Sequence, residues 1–250
     1  MACILKHAGV DDVICMGHDW GSQICYEMAR ARPDITNAVI GISIPYAPGG
    51  DTFTPSTSFV KYYPKLMYQV YFDEKTDNAA AELDKDVRRS LRSVHRTLAS
   101  PVPDAFLRSR DSFLTAFGSE EIPPIPYLTP QEEDYLVEQF KVQGFENTLH
   151  FYITENRYQS WKFVHNHGNR SIPQPVLTVY SSKDSTADWK FIGTVVGSAK
   201  YVPNLTTETV TADHWAHLEN PIGFNPIVRG WLSKLRDSGM EKKAKAVDEL

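Results

Sequence analysis

The chain has 250 residues, 42% of them hydrophobic, and a formal net charge of -5. That length supports one domain with a large insertion, or two small domains, around a buried core. An acidic balance without any Lys/Arg block points away from nucleic acid or an anionic membrane as partner, and no apolar run is long enough to span a bilayer.

In chain order, Met1 to Ala8 reads as the end of a helix stopped at Gly9. With no long apolar region and no cleavage site, it does not read as a signal peptide. Val13 to Met16 is a short apolar run expected to be a buried strand, and Ser22 to Arg32 carries Ile24, Met28 and Ala31 at helical spacing. Between them stands Gly17-His18-Asp19-Trp20-Gly21. A strand ends, the chain turns sharply and a helix begins, with Asp19 at the apex. Small residues on either side let strand and helix approach closely and let the apex residue take a strained backbone conformation. This is the pattern of a nucleophile elbow, G-x-S-x-G, with aspartate in place of serine. Taken alone, Asp19 is also readable as a helix N-cap. Asn37 to Ser43 is a second buried strand, so strand, helix and strand form a βαβ unit and the sheet is expected to be parallel. Pro45 to Gly50 then leaves this layer.

From 51 to 171 the pattern is helical. Ala79 to Ala99 reads as one strong helix on which Asp84 and Arg88, four residues apart, can pair, or simply form a solvated face. Ser119 to Pro130 is a proline-rich loop. Thr129-Pro130-Gln131-Glu132 is a capping box with proline at the first helical position. The helix it opens is expected to run to Gln143 and stop at Gly144, and Tyr152 and Trp161 fall on a further helix. At Pro175 the first pattern resumes. Val176 to Tyr180 is a strand followed by Lys183-Asp184, Trp189 to Gly197 a helix, and Thr207 to Thr211 a short strand that delivers Asp213-His214-Trp215. Ile222 to Leu235 is a terminal helix, and 237–250 a charged tail expected to be mobile. The organisation is an α/β core in two parts, 1–50 and 172–236, interrupted by a helical cap over 51–171.

Cys3, Cys15 and Cys25 are an odd set in apolar surroundings, expected to be buried thiols of a reducing compartment rather than a disulfide framework. With no leader, a cytoplasmic protein is the expectation. The ending Val247-Asp248-Glu249-Leu250 is similar to an ER-retention signal but lacks its basic first residue. No His/Cys cluster has ligand spacing, so neither a metal nor an organic cofactor is expected.

Three polar residues thus fall at strand ends of one parallel sheet: Asp19, Asp184 and His214. In open α/β sheets the ligand crevice lies at the carboxyl ends of the strands, and the order nucleophile, acid, histidine is that of α/β hydrolases. Singly, Asp184 is also a helix cap and His214 a core histidine. Three such positions in this order are much harder to obtain by chance.

Here the chain resembles the epoxide hydrolases of the α/β-hydrolase fold, over nearly its whole length. Gly17-His18-Asp19-Trp20-Gly21 matches their nucleophile motif. Tyr68-Gln69-Val70-Tyr71-Phe72 looks like the first lid-tyrosine motif, and Gly144-Phe145 with Leu149-His150-Phe151-Tyr152 is similar to the segment of the second. Lys183-Asp184 and His214-Trp215 match the acid and base motifs. The resemblance implies an α/β-hydrolase-type, mostly parallel sheet with an inserted helical cap, and a small-molecule epoxide as substrate. It implies attack by Asp19, proton donation by Tyr68 and Tyr152, and hydrolysis of the resulting ester by water that His214 activates and Asp184 orients. The Trp20 backbone N–H would stabilise the oxyanion, and Gln69 would bind substrate. The elbow is shared with haloalkane and haloacetate dehalogenases, the alternative enzyme class; the lid tyrosines separate the two, because an epoxide oxygen needs a donor and a halide does not. There are 12 tyrosines, so ordinary packing competes at each, and Tyr62, Tyr63 and Tyr71 lie close to Tyr68.

The resemblance also implies strands ahead of the elbow strand and a His-Gly-x-Pro loop that donates a second oxyanion N–H. Neither occurs in this sequence; its only His-Gly pair is His167-Gly168. The elbow strand is therefore expected at a bare sheet edge with apolar faces, an aggregation liability, and an inactive or partner-dependent fragment is the non-enzyme alternative. Asp213, beside His214 where glycine is frequent in the family, is expected to face away from the imidazole.

Overall fold

The computed structural model describes residues 1–240. Its centre is a parallel four-stranded sheet in the order β1-β2-β3-β4, with β1 Val13–His18, β2 Thr36–Ile42, β3 Val176–Ser181 and β4 Leu205–Val210. Helix α1 (Ala2–Ala8) ends at Gly9 in the left-handed conformation, and α2 (Trp20–Ala31) connects β1 to β2. Parallel strands covered on both faces need apolar residues on both. Ala38, Ile40 and Ile42 of β2 join Leu177, Val179 and Val210 against Phe224 and Trp231 of the terminal helix Pro221–Leu235. On the opposite face Val39 and Val176 pack with Cys25, Tyr26 and Ala29 of α2.

As expected, β1 is an edge strand. Ile14 is 39% and Met16 49% exposed, so its outer face presents apolar side chains and unpaired backbone groups.

The cap follows β2 and has its own apolar core, which includes Leu83, Leu91, Phe106, Phe113, Val137 and Leu149. The single helix expected over Ala79–Ala99 is instead two, Thr76–Lys85 and Val87–Val94. Asp86 interrupts it, its carboxylate accepting from the Arg89 N–H at 2.9 Å as an N-cap. The Asp84–Arg88 pair does not form, because the break turns the two apart. Asp84 accepts from the Phe145 N–H at 2.9 Å, and Arg88 reaches Glu133 at 2.8 Å. The Thr129 capping box is complete in both directions, and its helix runs Pro130–Gln143 with Gly144 as the stop. Tyr152 lies just ahead of the helix Thr154–His167 rather than on it.

The cysteine expectation is corrected. Cys15 and Cys25 are buried but joined as a disulfide, with Cα atoms 5.4 Å apart, and Cys3 is exposed. The elbow folds the first turns of α2 back over β1, which brings the two together although they are ten positions apart. Among the described residues no helix is long and apolar enough to cross a membrane. Of the tail expected over 237–250, residues 241–250 and with them the ending Val247–Leu250 lie outside the described residues.

Candidate active site

Asp19 leaves β1 with φ 53° and ψ -123°. A β-carbon added at Gly17 would lie 2.1 Å from the Gly21 carbonyl oxygen, so strand and helix meet there too closely for any side chain. At Gly21 an added β-carbon meets nothing within 4 Å; only the first glycine is sterically required. The Asp19 side chain does accept from the Trp20 N–H, at 2.8 Å through Oδ1. Its other oxygen, Oδ2, is 3.4 Å from Nε2 of His214. Nδ1 of His214 bonds Oδ2 of Asp184 at 2.9 Å, and Asp184 Oδ1 accepts from the Thr186 N–H at 2.9 Å and from its hydroxyl at 2.6 Å. The helix after Asp184 is capped by Asp188, which leaves Asp184 to the histidine.

Burial disfavours charge on His214, but Asp184 outweighs it, helped by Asp19 and Asp213, and raises the imidazole to about 9. Burial raises the Asp19 carboxyl against the opposing charge of His214. Burial alone would also raise Asp184, yet the His214 charge and hydrogen bond hold it below the usual carboxylate range. Asp213 faces away from the ring, its carboxylate accepting from the backbone N–H of Ser185 at 2.6 Å and of His214 at 2.7 Å.

Above this group lies a cavity of about 300 Å³ lined by Asp19, His214, Tyr68 and Tyr152 together with cap residues. The two tyrosine rings are 5.6 Å apart, centre to centre. Burial and nearby charge, Asp19 included, raise both phenols above their ordinary range, so both remain donors. The neighbouring aromatics do not compete. Tyr62 is 71% exposed, and Tyr71 donates to Glu82 at 2.9 Å. Gln69 does not line the cavity: its Oε1 accepts from Arg157 at 3.3 Å, so the structure does not bring this residue into the expected contact with substrate. The Trp20 ring packs against Phe151 and Tyr152, 5.5 and 5.7 Å away.

Sequence reading missed the supports. Among the described residues, the non-glycine residues with positive φ are Asp19, Ser43 at 70° and Leu107 at 68°, and all three serve this site. Ser43 donates its hydroxyl to the His214 carbonyl at 3.1 Å, which His18 Nε2 also approaches at 3.0 Å. The Leu107 carbonyl accepts from the Tyr68 N–H at 3.1 Å. Strained backbone clustered in this way is a mark of functional sites, but no residue-type pattern announces it in Ser43 or Leu107.

Comparison with known proteins bears on the family. The model of the alpha/beta hydrolase fold matches residues 1–221. The chain belongs to that family. Within it, this α/β hydrolase is 27% identical over 234 residues to the bifunctional epoxide hydrolase 2 of Rattus norvegicus, covering 93% of the chain and 41% of that protein. It is 24% identical over 278 residues to epoxide hydrolase B of Mycobacterium tuberculosis, with 93% and 75% covered. Among solved structures it superposes on an epoxide hydrolase from an endophytic Streptomyces with TM-score 0.77 at 25% identity, over 94% of the chain and 72% of that structure. On epoxide hydrolase A from Mycobacterium thermoresistibile the TM-score is 0.74 at 25% identity, over 92% and 72%. The α/β hydrolase thus spans 41% of the length of its mammalian relatives.

Proposed function

We propose that this chain carries the catalytic site of an epoxide hydrolase, acting on a small-molecule epoxide through an ester on Asp19. The observation that supports it most is that one cavity is lined by a carboxylate at a strained turn and by two partly buried tyrosines of the cap. Oδ2 of Asp19 attacks a ring carbon in line, and the carbon–oxygen bond of the strained ring breaks. The oxygen leaves as an alkoxide still attached to the substrate and takes a proton from Tyr68 or Tyr152. Oδ1 becomes the ester carbonyl oxygen, already held by the Trp20 N–H, which then stabilises the oxyanion of the second step. In that step water attacks the ester carbonyl carbon and gives its proton to Nε2 of His214. Collapse of the intermediate breaks the bond between the carbonyl carbon and Oδ2, which leaves in the diol with the proton from His214 while Asp184 holds the ring; the water's second proton, left on the regenerated Asp19 carboxyl, returns to the tyrosinate.

Forming the ester removes the Asp19 charge beside three groups at once. The imidazole loses one of the charges that raise it, so it becomes easier to free as a base when a base is needed. The phenols lose the same charge and become better acids as the alkoxide appears.

A single turnover in ¹⁸O-labelled water tests the ester route. The carboxylate passes its own unlabelled oxygen to the diol, so label in the first-turnover diol would contradict the mechanism. Parallel assays on epoxides and haloalkanes separate this activity from dehalogenation; turnover of haloalkanes alone would overturn it.

A further inference from the structure

Arg157 stands in the first turn of the cap helix Thr154–His167. Its guanidinium lies over the Trp20 ring, 5.9 Å from the centroid, and over the Phe59 ring at 5.5 Å. Nη1 donates to two neutral acceptors, the Ser56 hydroxyl and Oε1 of Gln69, the latter at 3.3 Å. Both Ser56 and Gln69 are buried. Among the described residues Arg157 forms no ion pair. Asp73, the carboxylate whose charge reaches it, is taken up by Thr154, accepting from its N–H at 2.7 Å and from its hydroxyl. Burial draws the guanidinium below its usual range, against the opposing pull of Asp73 and of the Tyr68 and Tyr152 phenols. Two routes lead from this cation to the cap tyrosines. Gln69, which Arg157 holds, follows Tyr68 in the chain, and its side chain acts on the Tyr68 phenol in the direction that favours the anion. Trp20, on which Arg157 lies, packs edge-on against Tyr152 at 5.7 Å. Of the charges that act on the Tyr152 phenol, Asp19 pushes it up and Arg157 draws it down.

We infer that Arg157 is a positioning residue for ring opening, the fixed counter-charge of the tyrosinate that forms as a phenol gives up its proton. The inference rests on the proposed epoxide chemistry for the destination of that proton. In this step the phenol O–H bond breaks, the proton bonds to the alkoxide oxygen, and the electron pair stays on the phenol oxygen. A negative charge then appears on the ring, where burial already disfavours it. A cation held in place before the reaction offsets that charge without having to move. Asp19, neutralised as its ester in the same step, no longer opposes it. Arg157 is absent from the cavity wall, so it acts through the tyrosines and leaves the substrate untouched. Gln69 gains a role in place of the expected substrate contact: its amide joins the cation to the first phenol.

Two measurements on the whole chain test it. In the first, 3,5-difluorotyrosine is placed at Tyr152, and its tyrosinate, which forms at lower pH than that of tyrosine, is followed by absorbance with no substrate present. The titration midpoint should rise by about one pH unit in Arg157→Gln and stay near its starting value in Arg157→Lys, which keeps the charge. An unmoved midpoint in Arg157→Gln overturns the inference. The second is single-turnover ester formation from an epoxide with the native tyrosines in place. The rate should fall about tenfold in Arg157→Gln, the kinetic equivalent of one pH unit, and recover in Arg157→Lys. A wild-type rate in Arg157→Gln overturns the inference, as does equal slowing in both variants, which would trace the loss to packing on Trp20. A midpoint that moves in a chain that turns over no epoxide supports the hold of the cation on the phenols and overturns the epoxide reading beneath it.

Discussion

The imidazole of His214 stands 3.4 Å from Asp19 and 2.9 Å from Asp184, one histidine between two carboxylates. That position raises it from 6.5 to about 9, and a group whose pKa is higher in the folded chain binds its proton more tightly there. Its stabilising effect is fully present below 6.5 and is lost as pH rises through about 9. The melting temperature of the wild type should therefore exceed that of His214→Gln by a few degrees near about pH 6 and by much less near about pH 10. A gap that does not change with pH would show that the histidine carries no extra proton in the fold.

The same substitution separates the two chemical steps. His214→Gln should still be alkylated by an epoxide and should then hold the ester, visible by mass spectrometry as the chain plus one substrate. Steady-state turnover should fall by about 10⁴-fold or more, as for the loss of other catalytic bases. Rapid turnover without an accumulating adduct would remove His214 from the hydrolytic step.

The phenols act earlier. Tyr68→Phe and Tyr152→Phe should each slow the single-turnover alkylation by about 10²-fold, and the double variant by about 10⁴-fold or more, with hydrolysis of any ester formed unchanged. Alkylation at the wild-type rate in the double variant would show that the donors are elsewhere.

The two glycines of the elbow should respond differently. Gly17→Ala drives a β-carbon into the Gly21 carbonyl, and overpacking of about 1–3 kcal/mol lowers the melting temperature by roughly 2–12 °C in a chain of this size. Gly21→Ala meets open space in the first turn of α2 and, with alanine the better helix former, should leave it unchanged or raise it by up to about 4 °C. Thermal melts of the two variants, read by circular dichroism, check the difference.

Ser43 is a positioning residue in this scheme, because it holds the His214 carbonyl and touches no reacting atom. Ser43→Ala should slow ester hydrolysis several-fold, about the effect of one hydrogen bond, while alkylation proceeds at the wild-type rate. Equal slowing of both steps would mark a general loss of structure instead.

Much of this was legible in the chain itself. Apolar runs of four to seven residues bounded by turn signals name β1, β2 and β3, because strands packed into a core need apolar sequence, whereas β4 is threonine-rich and mostly exposed. The glycines around Asp19, and the placement of Asp184 and His214 just past strand ends, name the polar residues that meet, because a parallel sheet delivers all its strand ends to one side. Where a local signal competes with packing, only the fold decides. Asp86 splits a helix that propensity alone would continue, Arg88 prefers the distant Glu133 to Asp84, and Cys15 meets Cys25 across the elbow. Gln69 turns to Arg157 rather than to the cavity, while Ser43 leaves the end of β2 with positive φ to reach the His214 carbonyl and Leu107 reaches Tyr68 from a loop with no pattern of its own. Sequence determined which titratable side chains stand at the strand ends, since that follows from residue type and short-range periodicity. Their distances, their shared cavity and the charge each one feels depend on contacts between residues far apart in the chain, and those exist only once the sheet and its cap have closed together.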